Sequence, residues 1–137
     1  MENLDDMKDR SSSVVIGGKE YPLIVTTKAT KEIAKRYGGL ESLGEKLLKT
    51  ENFEEALSEV VWLIALLANQ AILMHNFQNR DNQKGQKQIL SEDEIELMTT
   101  PADMFAFKEA ITEAMIRGTK RNVESEDDDK EKNPGGA

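Results

Sequence analysis

The chain contains no cysteine and a single histidine, and these absences exclude several kinds of site. Without cysteine there is no disulfide framework, no thiolate metal ligand and no cysteine nucleophile. His75 alone cannot supply the paired histidines of a zinc site within one chain. Beside Met74, near the end of an apolar helix, it is typical of a partly buried packing residue. We therefore expect no catalytic, cofactor-binding or metal-binding residues and a protein that is not an enzyme.

Phosphate-binding glycine motifs and membrane-length apolar runs are also missing from the sequence. The pairs Gly17-Gly18 and Gly38-Gly39 belong to no nucleotide-binding pattern. The longest apolar run, Val60 to Ala68, has nine residues, whereas a membrane-spanning helix needs about 20. The first ten residues hold no apolar stretch of the kind found in secretory signals. We therefore expect neither a nucleotide nor a membrane partner, and a cytoplasmic protein.

The formal net charge of -8 is concentrated at the two ends of the chain. Residues 123–137 hold six acids and two lysines, and residues 1–10 hold four acids and two bases, which leaves -2 for residues 11–122. Such polar ends are typical of disorder. We predict a disordered arm over 1–13, a folded domain over 14–122 and an acidic disordered tail over 123–137. The nearly neutral body favours protein partners over nucleic acid.

Helical periodicity dominates the predicted domain. The spacing of apolar residues and the capping residues predict helices over 27–37, 40–49, 53–77 and 101–117, and a short helical turn after Ser91. Gly118 is interpreted as the end of the last helix. Around Gly17-Gly18, β-branched residues predict a short hairpin that must lie against helices. The expected fold class is mainly α: a small helical domain of about four helices around a long central apolar helix, with a short N-terminal β-hairpin.

The apolar run from Val60 to Ala68 has two interpretations. Nine consecutive apolar residues cover every face of more than two helical turns, so the helix must be surrounded. Either the other elements enclose it as an ordinary core, or one face stays available for a subunit or client. The candidate partner-binding residues are Trp62, Leu66, Ile72 and Phe105.

The first helix carries a basic surface made of Lys28, Lys31, Lys35 and Arg36. Such a surface could contact phosphate. Glu32 lies within the same helix, however, and no aromatic residues alternate with the bases as base stacking requires. A solvated helix face is the favoured interpretation, and a nucleic-acid partner is not expected.

Four segments of the chain resemble the tail assembly chaperones of long-tailed phages and of Gram-positive prophages. The similarity runs from about Val14 to Glu126 and concerns whole segments, without a catalytic signature. The segments are IGGKEYPL (16–23), TTKATKEIAKRYGGLE (26–41), VVWLIALLANQAILMHN (60–76) and GTKRNVESED (118–127).

The resemblance implies a small helical protein that binds the tape-measure protein in the host cytoplasm, prevents its aggregation during tail assembly, and is absent from the mature virion. It also implies that a frameshifted longer form could recruit the tail-tube protein, and it is compatible with a homo-oligomer. The alternatives are a small helical adaptor, a phage-encoded nucleic-acid-binding regulator that uses the basic first helix, or an enzyme whose site forms only between subunits.

Overall fold

The computed structural model describes residues 12–49 and 51–132 of the chain. An antiparallel hairpin of two strands, β1 (Ser12–Ile16) and β2 (Lys19–Leu23), precedes the helices. These are α1 (Thr27–Tyr37), α2 (Leu40–Lys49), α3 (Phe53–Gln78), α4 (Glu92–Met98) and α5 (Asp103–Lys132), with a 3-10 turn at Gln83–Gly85 between α3 and α4. The predicted fold class, mainly helical with a hairpin and a long central helix, is confirmed.

The hairpin forms where the sequence predicts it, but it starts earlier. Gly17 and Gly18 connect the strands with φ of 59° and 78°, values that glycine adopts without steric cost. Ser12 belongs to β1 and lies buried. Its hydroxyl is satisfied there, since it donates to the carbonyl of Ala110 at 2.6 Å. The arm predicted over 1–13 is therefore wrong for its last two residues, and residues 1–11 lie outside the described residues.

The capping residues place the helix boundaries close to their predicted positions. Thr26 and Asn52 accept hydrogen bonds from the backbone amides of Ala29 and Glu55 at the starts of α1 and α3. Ser91 and Glu94 form a reciprocal capping box at the start of α4. Each cap satisfies amides that have no partner within the helix, so each fixes where the helix begins.

Helix α3 is the centre of the fold. Its buried residues lie between Val60 and Gln70, and β2, α1, α2, α4 and α5 all pack on it. Ile64 and Leu67, within the apolar run from Val60 to Ala68, are fully buried. The backbone amide of Ile24, which follows β2, donates to the carbonyl of Leu67 at 3.2 Å and fixes the hairpin on the helix. Strand β1 packs mainly on α5, so the hairpin joins α3 to α5.

By length and composition alone, α3 could cross a membrane, since its most apolar 18-residue window has a mean hydropathy of 1.8. A buried core helix passes the same test. Here the helix carries the buried polar side chains Asn69 and Gln70, and both form hydrogen bonds within the fold. Its apolar character is explained by its central position among the other elements.

The last helix differs most from its prediction. The predicted boundaries of 101–117 are wrong, because α5 begins at Asp103 and continues through Gly118 to Lys132. A Cβ atom at position 118 would lie 2.9 Å from Cβ of Val25, so this glycine permits a close approach of two elements instead of ending the helix.

Beyond Gly118, the structure also differs from the disordered tail predicted from residue 123. No glycine or proline occurs between Thr119 and Lys132, and seven of those 14 residues are Lys, Arg or Glu, which favour helix. The helical backbone therefore extends through the acidic segment to Lys132. Residues 133–137 of the predicted tail lie outside the described residues.

The predicted loop between α3 and α4 is held on α3 by two asparagines. The Asn69 amide donates to the Leu90 carbonyl and accepts from the Leu90 amide, both at 2.8 Å. Asn76 forms the same pair of bonds with Lys87, at 2.9 and 2.8 Å. Seven helical residues rise about 10.5 Å and three extended residues span about 10 Å, so the two repeats match. His75 supports this segment by hydrogen bonding to the Gly85 carbonyl at 2.7 Å.

The two helical glycines should respond oppositely to alanine. At Gly44 no atom lies within 4 Å of an added Cβ, so Gly44→Ala should raise the free energy of unfolding by about 0.5–1 kcal/mol. Gly118→Ala should lower it by about 1 kcal/mol, because overpacking against Val25 outweighs the gain in helix propensity. Urea unfolding followed by circular dichroism measures both. Equal stabilisation by the two changes would contradict the close approach at Gly118.

The hydrogen bonds of Asn69 with Leu90 and those of Asn76 with Lys87 should contribute differently to the free energy of unfolding. Asn69→Ala should cost about 2–3 kcal/mol, because it leaves a buried amide and a buried carbonyl of Leu90 without partners. Asn76→Ala removes the same pair of bonds where water can replace them, so it should cost less than about 1 kcal/mol. Thermal or urea unfolding of the two variants provides the comparison. Similar losses of unfolding free energy would argue against a special contribution from the buried hydrogen bonds between Asn69 and Leu90.

Candidate functional site

Among the described residues, an apolar concave surface lies between α2, α3 and α5. Its volume is about 120 Å³. We call it the apolar groove. Its apolar lining residues are Leu47, Phe53, Ala56, Leu57, Val60, Pro101, Met104 and Phe105. The groove lies at the amino-terminal end of α3, and Val60, the first buried residue of that helix, belongs to its lining.

Two phenylalanines at the groove are largely exposed. Phe53 is 67% and Phe105 is 79% exposed, although aromatic side chains usually contribute most of their stabilisation when buried. Phe107, two residues from Phe105 along α5, is buried in the core. Exposed aromatic residues beside an apolar depression are the usual features of a surface that binds another protein.

The groove is bordered by charged residues of both signs. Lys46 and Lys108 line it, and Lys46 forms an ion pair with Glu55. On the other side of Leu57, Pro101 and Met104 lies a second depression, which is lined by Glu54 and Glu96. The groove itself therefore holds the two bases and the acid Glu59, and the neighbouring depression holds two further acids.

Glu59, which lines the groove, is also the centre of a polar cluster. Its carboxylate accepts hydrogen bonds from the hydroxyl of Tyr37 and from Nε of Arg36, the latter at 3.3 Å. The guanidinium of Arg36 also lies 4.4 Å from the ring centroid of Trp62, and Tyr37 meets Trp62 edge to face at 6.0 Å. The cluster fixes α1 on α3 through contacts that are satisfied within the chain.

The cluster changes the proton affinities of its members. Desolvation raises the pKa of the Tyr37 hydroxyl, and the hydrogen bond to Glu59 raises it further. For Glu59, desolvation alone would raise the pKa of the carboxyl, but the hydrogen bonds from Tyr37 and Arg36 and the charges of Arg36 and Lys46 outweigh it and lower that pKa. The ionised carboxylate is therefore the form that the fold stabilises.

The structure does not bring the four predicted partner-binding residues together. Phe105 alone lines the groove. Trp62 and Leu66 are partly buried and pack against the core, and the ring of Trp62 is covered by Arg36. Ile72 lies more than two helical turns beyond the groove on α3 and is also partly buried.

Sequence reasoning missed the residues that form the rest of the groove. Phe53 is only the first residue of the helix predicted over 53–77, and Met104 lies inside the helix predicted over 101–117, so neither position by itself carries a local signal for a groove. The available signal was the position of Phe53 beside the cap Asn52, since the first helical turn lies where the neighbouring elements no longer cover α3. The groove also requires the approach of α5, which no local pattern specifies.

The basic surface of α1 is partly neutralised. Lys35 pairs with Glu32 at 3.4 Å and Arg36 pairs with Glu59, while Lys28 and Lys31 are exposed. The arrangement lacks exposed aromatic residues of α1 on which bases could stack, because Tyr37 packs against Trp62. This face has the features of a solvated helix surface.

Within residues 12–49 and 51–132, no group of three or more His, Asp or Glu side chains has the arrangement needed to hold a metal ion. The fold and the groove together define a small helical protein with an apolar groove between three of its helices. No protein-family model, no curated protein and no solved structure matches the chain.

The lowered pKa of Glu59 predicts a pH-dependent contribution to stability. The contribution of the carboxylate is present above its unfolded pKa of about 4.3 and is lost as the pH falls through the lower folded pKa. Glu59→Gln should therefore cost about 1–2 kcal/mol at neutral pH and progressively less in acid. Urea unfolding across this range measures the difference.

Glu54→Gln is the matched control, because Glu54 is an exposed acid on the same helix. It should cost no more than about 0.5 kcal/mol at neutral pH, the value of a favourable interaction with the helix amino terminus. A loss for Glu59→Gln that stays constant from neutral pH to below pH about 3 would contradict the assignment.

Proposed function

We propose that the protein is a phage tail assembly chaperone that binds the tape-measure protein during tail assembly and keeps it from aggregating. The observation that carries the proposal is the apolar groove between α2, α3 and α5, with Phe53 and Phe105 exposed beside it. A chaperone for a long helical client requires apolar surface on a protein that remains dispersed by its charge. The groove supplies the first property and the net charge of -8 supplies the second.

The resemblance of four segments to the tail assembly chaperones supplies the identity of the client. In this proposal, apolar side chains along one face of a tape-measure helix enter the groove at the amino-terminal end of α3. Recognition of amphipathic helices by hydrophobic grooves is a common mode of protein binding, with anchors spaced three and four residues apart. Neither a catalytic group nor a cofactor takes part, and the protein leaves the client before the tail is complete.

The proposal is tested by coexpressing the chain with the tape-measure protein of the phage or prophage that carries its gene. The wild-type chain should keep the client in the supernatant and copurify with it at both low and high salt, because apolar contacts persist when charges are screened. Phe53→Ser with Phe105→Ser should abolish copurification while the melting temperature changes little, since both side chains are mostly exposed.

Phe77→Ser is the matched control. Phe77 is 68% exposed on α3 but lies about 36 Å along the helix from Phe53, so capture should be unchanged. Capture that survives the double change at the groove would contradict the proposed site. The chaperone proposal would be contradicted if the client stays insoluble at both salt concentrations while the chain binds DNA at about 50 mM salt and releases it at about 200 mM. That outcome would favour a nucleic-acid-binding regulator that uses the basic face of α1.

A further inference from the structure

The dimensions of the apolar groove limit what can enter it. Its volume of about 120 Å³ is slightly smaller than that of a dry cavity of about 150 Å³ that accepts a benzene ring. A single large apolar side chain therefore matches the deepest part. Lys46, Lys108 and Glu59 also line it. Lys46 pairs with Glu55, and Glu59 accepts hydrogen bonds from Arg36 and Tyr37, whereas Lys108 forms no ion pair among the described residues. The complementary surface is an apolar side chain surrounded by acids.

Helix α4 of the same chain has this combination. Leu97 is 83% exposed, which makes it the most exposed large apolar side chain of the described residues. The helix contains no base, and its four acids are exposed: Glu92, Asp93, Glu94 and Glu96. We call Leu97 and these four acids the α4 knob. Leu97 lies on the side of this short helix opposite to Ile95, which is completely buried in the core. A large apolar side chain is unexpected on the exposed side.

We propose that the apolar groove binds the α4 knob of a second copy of this chain. Leu97 of one copy enters the groove beside Phe53 and Phe105 of the other, and the acids of the knob lie against Lys46 and Lys108. Apolar burial supplies most of the affinity, while the opposite charges orient the two copies and accelerate their encounter. Each copy has one groove and one knob, so the contact needs no other partner.

Self-association gives the groove an occupant when no client is present. An exposed apolar groove on a free protein promotes unspecific aggregation, and occupation by the α4 knob covers it. In the proposed function, the client then competes with the second copy for the same surface. The self-association itself does not depend on the chaperone proposal, because it is measured without any client.

Sedimentation or multi-angle light scattering of the full chain over a concentration series tests this inference. The wild-type chain should associate, whereas Leu97→Ser and Phe105→Ser should each shift the population to monomer with unchanged circular dichroism. Lys108→Glu should weaken association about tenfold, because it places an acid against the acids of the knob. Phe77→Ser and Lys84→Glu are the matched controls for apolarity and for charge. Both residues are exposed away from the groove and the knob, and both variants should associate as the wild type does.

The decisive measurement is an equimolar mixture of Leu97→Ser and Phe105→Ser. The first variant keeps an intact groove and the second keeps an intact knob, so the mixture should associate although each variant alone does not. A wild-type chain that is monomeric throughout, or a mixture that stays monomeric while the wild type associates, would overturn the inference. A Leu97→Ser variant that associates as the wild type does would also overturn the inference. Because this variant keeps the groove intact, its capture of the client tests the proposed function separately.

Discussion

The apolar circumference of α3 is the constraint on which the rest of the fold depends. A helix that is apolar on all sides cannot rest against a single neighbour, so it needs cover in every direction. The hairpin, the three shorter helices and α5 each cover part of it. The hairpin illustrates this dependence, since two strands alone are marginal in water and become stable only when they pack on helices. Here β2 lies on α3 and β1 lies on α5.

The few polar side chains on α3 determine which segments cover it and in which register. Asn69 pairs with both backbone groups of Leu90, and Gln70 accepts a hydrogen bond at 2.6 Å from Thr26, which also caps α1. Apolar contacts alone tolerate sliding, whereas a buried amide loses its partners when the register shifts. The apolar surface thus supplies the drive for packing, and these amides select one arrangement.

The elements that the sequence predicts well are those with local signals. Caps at Thr26, Asn52 and Ser91 act through the next three residues, and the glycine pair of the hairpin acts within its own turn, so both are readable from short segments. The prediction that Gly118 ends the last helix is wrong, because a glycine has the same local signature when it ends a helix and when it permits close packing. Only the position of Val25, which is distant in sequence, distinguishes the two. The groove cannot be predicted from the sequence for the same reason, since it requires α5 to pack beside α3.

The position of the groove follows from the central constraint. Helix α3 is longer than the layer that encloses it: its buried residues lie between Val60 and Gln70, and both of its ends are less covered. Polar side chains at the amino-terminal end of α3 would leave no apolar surface exposed there. Instead, the apolar residues Phe53, Ala56 and Leu57 occupy this less covered end of the helix. The same excess of apolar surface that organises the core therefore remains available at one end. Under the two proposals, a helical client and a second copy of the chain compete for that end, because each covers apolar surface of α3 that the fold leaves exposed.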